Sequence, residues 1–323
     1  MSDTTTRRTR RAINGLLLLD KPTGMTSNAA LQRVKWLFRA RKAGHTGSLD
    51  PLASGMLPIC FGEATKFAGY LLDADKTYRV QARFGLRTDT GDAEGRVVET
   101  HLRAPVSAVE IEGAMAALTG PILQVPPMYS ALKQQGQRLY EIARAGREVP
   151  RQARPVAIHQ FVLEAFDPVT PVFRVRCSKG TYIRTLIEDL ARLLGTLGHV
   201  IVLRRLEVEP FGGQGMVTLA EVEALGLGAS DTDLAALDAI LRPLEDALPA
   251  WPAVHLEGSR ALRVSRGGPV PAPPGHGPGP VRLYGPGGTF LGVGEVQPDG
   301  VVTPRRLVAR DPLDIPAAWA AGL

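Results

Sequence analysis

The sequence predicts an α+β fold with two domains. Its 323 residues exceed the roughly 100–200 residues of a usual domain and leave ample chain for a buried core. Stretches with alternating apolar residues and stretches with helix-capping residues are mixed along the chain, without regular strand–helix–strand repeats. This mixture favours the α+β class over a doubly wound parallel sheet.

The first elements follow from a short apolar run. Residues 15–20 are almost entirely leucine, which predicts a buried strand that the turn at 21–24 closes. Ser27 is expected to cap a helix, since apolar residues recur after it at helical spacing. Residues 44–55 are rich in Gly and small polar residues without a sustained period, and we expect them to form a loop.

Two later segments alternate as strands do. Between Thr77 and Phe84, Tyr78 falls with the apolar residues that face inward. Residues 173–177 also alternate, and Gly180 and Thr181 then lead into a helix that runs to about residue 195. The pairs Ser107 with Glu110, and Thr218 with Glu221, are capping boxes that predict the start of two more helices.

Segments without a clear period mark the chain's organisation. Residues 121–155 are irregular and basic around a short helix at 139–145, as in a mobile loop that covers RNA. The helical pattern stops near Leu248, and short strands separated by turns follow, so we place a domain boundary there. Between residues 267 and 280, 11 of 14 residues are Gly or Pro, which predicts a loop.

Composition limits the class of protein. The formal net charge is +6 and most of the cations are Arg, which suits phosphate recognition but also fits a genome-wide composition bias. Cys60 and Cys177 lie far apart, so a zinc site and a disulfide framework are not expected. Residues 1–12 read as a disordered basic arm without a signal peptide, and no apolar run could span a membrane; a cytoplasmic protein is expected.

The chemistry-bearing residues are few. The sequence has no P-loop, dinucleotide fingerprint, nucleophile elbow or zinc-deaminase motif. What remains is Asp50, between His45 and Pro51, in the Gly-rich segment. A carboxylate can attack an electrophilic carbon when neighbours aim it. From spacing alone, Asp50 reads more readily as an ordinary turn residue before proline.

Several segments together resemble the TruB family of pseudouridine synthases, which make pseudouridine 55 in the T loop of transfer RNA. The resemblance runs in order from about Gly15 to near the C-terminus. Its segments are LDKPTGMTS (19–27), GHTGSLDPLASG (44–55), KTYRVQARFG (76–85), RTDTGDAEG (87–95), VPPMYSALK (125–133), CSKGTYIRTLIEDL (177–190), HVIVLRRL (199–206), FLGVGEV (290–296) and PRRLV (304–308).

The resemblance implies a fold and three catalytic residues. It implies a mixed, mainly antiparallel sheet flanked by helices over 13–248 and a small β-rich, PUA-like RNA-binding domain over 250–314. Asp50 would start cleavage of the glycosidic bond. Tyr78 would stack on the flipped uracil and handle the C5 proton, and Arg184 would pair with Asp50 and lower its pKa. A core tyrosine and an exposed helical arginine are the plainer alternatives.

The resemblance also implies residues that bind the substrate. His45 would contact the RNA where the flipped nucleotide leaves, and Tyr182 and Leu203 would line the uracil pocket. Lys21 and Asp92 match positions that support this pocket, although a strand-end charge and a turn cap explain them equally well. The implied enzyme needs no cofactor or metal, binds the T loop and stem of tRNA, and acts as a monomer without an obligatory protein partner.

Two other functions are compatible with these residues. A fold that opens the tRNA elbow could serve as a tRNA-binding and refolding module, with catalysis secondary. A glycosidase or nucleosidase that uses Asp50 on a free sugar is the third reading, but no second carboxylate stands at a convincing acid position.

Overall fold

The fold is known from a computed structural model, which describes residues 9–101, 106–134, 136–213, 215–227, 234–309 and 319. Among these residues, no helix is both long enough and apolar enough to cross a membrane. Most of the predicted basic arm, residues 1–8, lies outside the described residues, as do residues 310–314 of the predicted second domain.

The described strands form two large sheets and two short hairpins. In chain order the strands are β1 (Gly15–Lys21), β2 (Ala43–His45), β3 (Ser54–Phe61), β4 (Lys76–Phe84), β5 (Leu86–Thr88), β6 (Val97–Thr100), β7 (Gly120–Gln124), β8 (Lys133–Gln134), β9 (Gln137–Arg138), β10 (Arg154–Ala165), β11 (Val172–Cys177), β12 (Gly198–Val208), β13 (Val217–Thr218), β14 (Ala253–His255), β15 (Val270–Pro271), β16 (Gly279–Gly285), β17 (Thr289–Val296) and β18 (Val301–Leu307).

Helices lie between these strands in both parts of the chain. They are α1 (Ser27–Leu37), α2 (Ala68–Asp73), α3 (Ala108–Ala117), α4 (Leu139–Arg144), α5 (Ile183–Leu193), α6 (Leu219–Gly226), α7 (Leu234–Ala239) and α8 (Gly258–Ser265). The capping boxes at Ser107 and Thr218 are both formed and begin α3 and α6 as predicted.

The larger sheet has nine strands and confirms the α+β prediction. Its order is β13-β1-β3-β12-β4-β11-β10-β7, and β2 pairs with β3 beside this path. Only the β1–β13 and β3–β12 pairs are parallel, so the sheet is mixed and mainly antiparallel. This order brings β3, β12 and β4 side by side at the centre.

Strand β1 packs apolar side chains on both of its faces. Leu17 and Leu19 belong to the core under α1 and α5, whereas Leu16 and Leu18 join a second cluster on the opposite face. That second cluster also contains Phe290 from the smaller sheet. A buried strand with two apolar faces reads as a continuous apolar run, as the sequence does here.

The smaller sheet has five strands in the order β14-β16-β17-β18-β15 and packs α8 against its own core. The C-terminal domain is PUA-like. It contacts the second cluster through the rings of Phe67 and Phe290, whose centroids are 5.7 Å apart, and of Tyr70 and Trp251, which are 5.0 Å apart.

Several local predictions were wrong. The cap of α1 is Thr26, whose hydroxyl accepts a hydrogen bond from the Ala29 N–H, because Ser27 uses its own hydroxyl on Leu49. The segment 44–55 is a loop only between the ends of β2 and β3. The short helix predicted at 139–145 is present as α4. Strands interrupt two segments that were predicted to be irregular: β7–β9 and the start of β10 in 121–155, and β15 in 267–280.

Arg11 falls within the predicted arm, residues 1–12, but is fixed in the structure. The guanidinium of Arg11 binds both carboxylate oxygens of Asp238 at 2.6 and 2.7 Å, and its backbone forms a bridge with Ala40. The sequence pattern around Arg11 shows only a cluster of cations, whereas the partners that fix it lie far along the chain.

Candidate active site

Asp50 lies on the loop between β2 and β3, and the loop is fixed from two directions. The Ser27 hydroxyl accepts a hydrogen bond from the Leu49 N–H at 2.7 Å and lies 3.0 Å from the Leu49 carbonyl, to which it donates. The Gly24 N–H donates to the Pro51 carbonyl at 2.9 Å. The residues on both sides of Asp50 are therefore held by the turn that follows β1 and by the start of α1.

Arg184 binds the carboxylate of Asp50 through two nitrogens. Nε lies 2.9 Å from Oδ2, and Nη2 donates to Oδ1 at 3.2 Å. Arg184 lies in the first turn of α5 with its side chain only 4% exposed, so the reading of an exposed helical arginine was wrong. The Asp50 side chain keeps 38% of its surface accessible, which leaves the carboxylate open to a substrate.

Arg184 lowers the pKa of Asp50 as predicted, but the net direction of the shift is upward. Burial raises the pKa of the Asp50 carboxyl above its ordinary value, and the nearby Asp92 acts in the same direction. The charge and hydrogen bond of Arg184 lower that pKa, as does Lys21, but they do not offset the loss of hydration. The sequence shows the neighbouring cation but does not show how far the Asp50 carboxyl is removed from water.

Arg184 is itself held by three further acceptors. Nη1 donates to the Thr90 carbonyl at 2.7 Å and Nη2 to the Tyr129 carbonyl at 2.8 Å, while Nε lies 3.8 Å from Asp92 Oδ2. Asp92 is buried and accepts hydrogen bonds from the Thr90 hydroxyl and the Glu94 N–H. Asp92 is thus both a turn cap and a second carboxylate near Arg184.

Tyr78 on β4 lies on the other side of the site. The Cα of Tyr78 pairs with Arg205 on β12 and with Val175 on β11, so the ring lies over the centre of the sheet. Burial raises the pKa of the Tyr78 phenol, while the charge and a side-chain hydrogen bond of Arg205 lower it. Asp50 also raises that pKa, which places its charge near the phenol.

Tyr182 directly precedes α5 and is fixed through its backbone. The side chain of Gln124 accepts a hydrogen bond from the Tyr182 N–H at 2.7 Å and donates to its carbonyl at 3.1 Å. Burial raises the pKa of the Tyr182 phenol, and the nearby charges of Arg184 and Asp50 act on it in opposite directions. Tyr182 therefore also lies close to Asp50.

Lys21 is fully buried at the end of β1. Its ammonium donates to the carbonyls of Pro22 at 2.8 Å and Met25 at 2.7 Å. Burial lowers the pKa of Lys21 from 10.5 to about 8, although the charges of Asp50 and Glu94 raise it. Lys21 thus contributes positive charge beneath Asp50 and is more than a strand-end charge.

The remaining two predicted residues lie beside the sheet centre. Leu203 on β12 is buried and pairs with Val80 on β4, two positions before Arg205 on the same face. His45 ends β2, and its Nδ1 is buried without a hydrogen-bond partner. Burial lowers the pKa of His45, and the charge of Arg205 adds to this.

The structure therefore brings the predicted residues into one region. An accessible carboxylate is held by an arginine and flanked by two tyrosines, with Leu203 on the neighbouring strand. Such a site can keep a carboxylate ionised beside a planar ring that stacks on aromatic side chains. Among the described residues, no group of three or more His, Cys, Asp or Glu side chains is placed to hold a metal ion.

Sequence reasoning missed three residues that organise the site. Gln124 clamps Tyr182, Ser27 holds the Asp50 loop, and Arg205 lies beneath both the loop and Tyr78. Ser27 and Arg205 stand inside the segments that carried the resemblance, and Gln124 directly precedes another. Nothing in the local pattern distinguishes them, because each acts on a backbone that is distant in sequence.

Comparison with known proteins covers most of the chain. Residues 35–183 match the TruB family pseudouridylate synthase N-terminal domain, 184–249 the tRNA pseudouridylate synthase B C-terminal domain, and 252–308 the pseudouridine synthase II TruB C-terminal domain. The chain is 52% identical over 305 residues to a tRNA pseudouridine synthase B of Ectopseudomonas mendocina. The aligned region covers 94% of this chain and 97% of that protein.

Other relatives and solved structures are similar over comparable lengths. A tRNA pseudouridine synthase B of Shigella boydii is 49% identical, over 95% of this chain and 98% of that protein. The structure described as a Cbf5-Nop10-Gar1 complex superposes with a TM-score of 0.67 at 26% identity, covering 88% of this chain and 78% of that one. An H/ACA RNP bound to a substrate RNA has the same fold, with a TM-score of 0.69 at 22% identity, over 92% of this chain and 86% of that one.

Proposed function

The chain belongs to the TruB family of pseudouridylate synthases, and from this premise we propose that it converts uridine 55 in the T loop of tRNA to pseudouridine. The observation that carries the proposal is the accessible Asp50 carboxylate held by Arg184 between Tyr78 and Tyr182. The relatives that are about half identical over almost their whole length are named tRNA pseudouridine synthase B, which supports tRNA as the substrate.

The reaction is an isomerisation, so its atoms balance within the nucleotide. The bond between uracil N1 and ribose C1′ breaks, the base turns, and a bond forms between C5 and C1′. The proton on C5 leaves, and N1 takes up a proton. We assign to Asp50 the step that starts cleavage of the glycosidic bond, since its carboxylate is the accessible anion of the site.

Arg184 and Asp92 would keep Asp50 ready for that step. Burial favours the neutral acid at Asp50, which could not act as a nucleophile or base. The bidentate contact from Arg184 opposes protonation and fixes the carboxylate in one orientation. Asp92 and the Thr90 carbonyl hold Arg184 in turn, so this network positions Asp50 rather than reacting itself.

The tyrosines and Leu203 would hold a uracil that has left the T loop. Extrusion of a base costs a few kcal/mol, and a pocket with aromatic and apolar walls recovers part of that cost. In this proposal Tyr78 stacks on the base and handles the C5 proton, Tyr182 and Leu203 complete the pocket, and His45 contacts the RNA at its entrance. Lys21 supports the pocket from below through its contact with Met25 and its charge near Asp50.

RNA affinity would come from the cations around this pocket. The chain carries a net charge of +6, and Arg138 and Arg144 lie within 6 Å of the ring of Tyr140 in the 121–155 segment. When arginines bind RNA phosphates, the affinity falls steeply as the salt concentration rises. We propose that residues 13–248 catalyse the reaction, that 250–314 bind RNA, and that the protein acts as a cytoplasmic monomer.

The proposal is tested by tritium release from a tRNA transcript labelled at uracil C5. We expect release by the wild type, loss of release in Asp50→Asn, and no release when uridine 55 is replaced by cytidine. Asp299→Asn is the matched control, since Asp299 caps an exposed turn of the smaller sheet. Release in Asp50→Asn at the wild-type rate would contradict the catalytic role of Asp50.

The same assay separates the two other readings. If the wild type binds tRNA and accelerates its refolding but releases no tritium, the protein is a binding and refolding module. If free uracil accumulates, the protein breaks the glycosidic bond without rejoining it and acts as a nucleosidase. Either result would overturn the proposed isomerisation.

A further inference from the structure

Arg205 is a buried cation that the proposed reaction does not yet use. Only 1% of the residue is exposed, and it lies in the middle of the sheet on β12. Its Nε donates to the Met56 carbonyl at 2.7 Å and its Nη2 to the Gly47 carbonyl at 3.1 Å. In the part of the chain that the structure describes, no carboxylate forms an ion pair with it, so its charge is balanced by carbonyl dipoles.

The strand register places Arg205 between Tyr78 and the Asp50 loop. On β4 its cross-strand partner is Tyr78, so the two side chains lie on the same face of the sheet. On β3 its partner is Gly55, which closes the loop that carries Asp50. A Cβ at Gly55 would lie 2.1 Å from the Arg205 carbonyl, so only glycine lets β3 approach β12 here.

We propose that Arg205 is a positioning residue for pseudouridylation, which fixes the Tyr78 hydroxyl against the backbone of the loop that carries Asp50. The inference rests on the proposed function, because it assumes that Tyr78 acts on the flipped uracil. Arg205 links the two reacting side chains without itself touching the substrate: one nitrogen binds Gly47, three residues before Asp50, and the residue stands directly across from Tyr78 on the neighbouring strand.

The guanidinium group limits how the Tyr78 O–H can be oriented. Arginine has only donors, so it bonds the phenolic oxygen through a lone pair and cannot accept its proton. The Tyr78 O–H therefore finds no acceptor on the guanidinium across from it and is left to donate elsewhere. The planar fork of arginine reaches several acceptors at once, which a single ammonium group cannot do.

The surroundings show that Arg205 produces a positive field under the site. Its charge lowers the pKa of His45, Lys21 and Lys76, in addition to the effect of burial on each. Arg205 therefore acts electrostatically on three other basic groups. Retaining a buried charge without a carboxylate partner is costly, which argues that this position does more than fill the core.

A double-mutant cycle tests the inference. Single-turnover rates of pseudouridine formation are measured for wild type, Arg205→Lys, Tyr78→Phe and the double variant, with tRNA affinity and melting temperature recorded for each. We expect Arg205→Lys to slow the single-turnover rate by at least about tenfold while tRNA affinity changes less than twofold. In the Tyr78→Phe background, where the hydroxyl is absent, the same change should slow the rate by less than about twofold.

Arg204→Lys is the matched control, since Arg204 stands one position earlier and pairs with Asp20. Equal slowing by Arg205→Lys with and without the Tyr78 hydroxyl would overturn the proposal, and so would a rate in Arg205→Lys close to that of the wild type. Arg205→Gln is carried through the same cycle, in case Arg205→Lys does not fold. If neither variant folds at the assay temperature, Arg205 serves folding alone and the proposal fails.

The two proposals fail separately. If the wild type and Arg204→Lys form pseudouridine and Asp50→Asn does not, the proposed function stands whatever Arg205 does. If the wild type forms none, the proposed function itself is wrong.

Discussion

Two buried arginines lie on opposite sides of the Asp50 loop, and their partners differ. Arg184 is held by the carboxylate of Asp50 and lies near that of Asp92, so its charge is largely compensated. Arg205 is equally buried but is bound by backbone carbonyls and stands across the strand pair from the phenol of Tyr78. On the Arg184 side, burial raises the pKa of the carboxyl groups of Asp50 and Glu188; on the Arg205 side it lowers the pKa of the bases Lys21 and Lys76.

The difference shows that one residue type performs two kinds of work in this site. A cation with carboxylate partners keeps an acid ionised and oriented, so its removal should slow the reaction directly. A cation with carbonyl partners orders the backbone and the phenol above it, so its effect should pass through those groups. The two sides can therefore be separated by their response to conservative substitution and to pH.

The Arg184 side should show the largest effect. Arg184→Lys keeps the charge but loses the bidentate contact with Asp50, and we expect turnover to fall by about 100-fold or more. Single-turnover assays with tRNA measure this, and Arg176→Lys, on a surface ion pair, is the control with an expected change below about twofold. Turnover of Arg184→Lys near that of the wild type would show that the carboxylate does not depend on this contact.

The Arg205 side should show an alkaline effect on stability. Burial, and next the charge of Arg205, lower the pKa of Lys76 from 10.5 to about 8, although its ammonium donates to three carbonyls. Between those pH values the unfolded chain keeps the proton that the folded chain has released, so the contribution of Lys76 to stability rises with pH. It is fully present above 10.5 and is lost as pH falls through about 8.

Urea unfolding from pH 7 to pH 10.5 checks this. The free energy of unfolding of the wild type should rise relative to Lys76→Met by about 3 kcal/mol over that window. Lys179→Met is the control, because Lys179 forms only an exposed ion pair with Asp73. If the difference in the free energy of unfolding between wild type and Lys76→Met stays constant with pH, burial does not lower the pKa of Lys76 in the folded protein.

The smallest effect is expected at the two thiols, which belong to neither side. Cys60 and Cys177 are buried, and burial raises the pKa of each thiol to about 12. A thiol that stays protonated is a poor nucleophile, so the double variant Cys60→Ser with Cys177→Ser should keep turnover within about twofold of the wild type. Loss of turnover by a folded double variant, with its folding followed by circular dichroism, would reveal a thiol in the chemistry.

The fold was predictable where local pattern and tertiary structure agree. The leucine run of β1 and the capping boxes of α3 and α6 each depend on neighbours within a few residues, and all three elements stand as expected. The cap of α1 and strand β7 were missed because their partners are distant. Ser27 bonds Leu49, and β7 pairs with the first residues of β10.

The site was predictable only through resemblance, and only in part. Asp50 and Arg184 stand 134 residues apart, so no spacing rule joins them. The lowering of the Asp50 pKa by Arg184 was predicted, but the larger opposing effect of burial was not, because the sequence shows the charge of a neighbour and not the loss of hydration. Arg205 escaped notice because its hydrogen-bond acceptors are main-chain carbonyls, which every residue carries.

Strand β1 has a consequence for the cooperativity of unfolding. Its alternate leucines belong to two different cores, and one of these cores includes Tyr284, Phe290 and Val293 of the smaller sheet. Loss of that sheet would remove part of the cluster that buries Leu16 and Leu18, and full exposure of a buried leucine costs roughly 1.5–3 kcal/mol. The strand that leads into Lys21 is therefore coupled in free energy to a sheet far along the chain, and the two sheets are expected to melt in one transition.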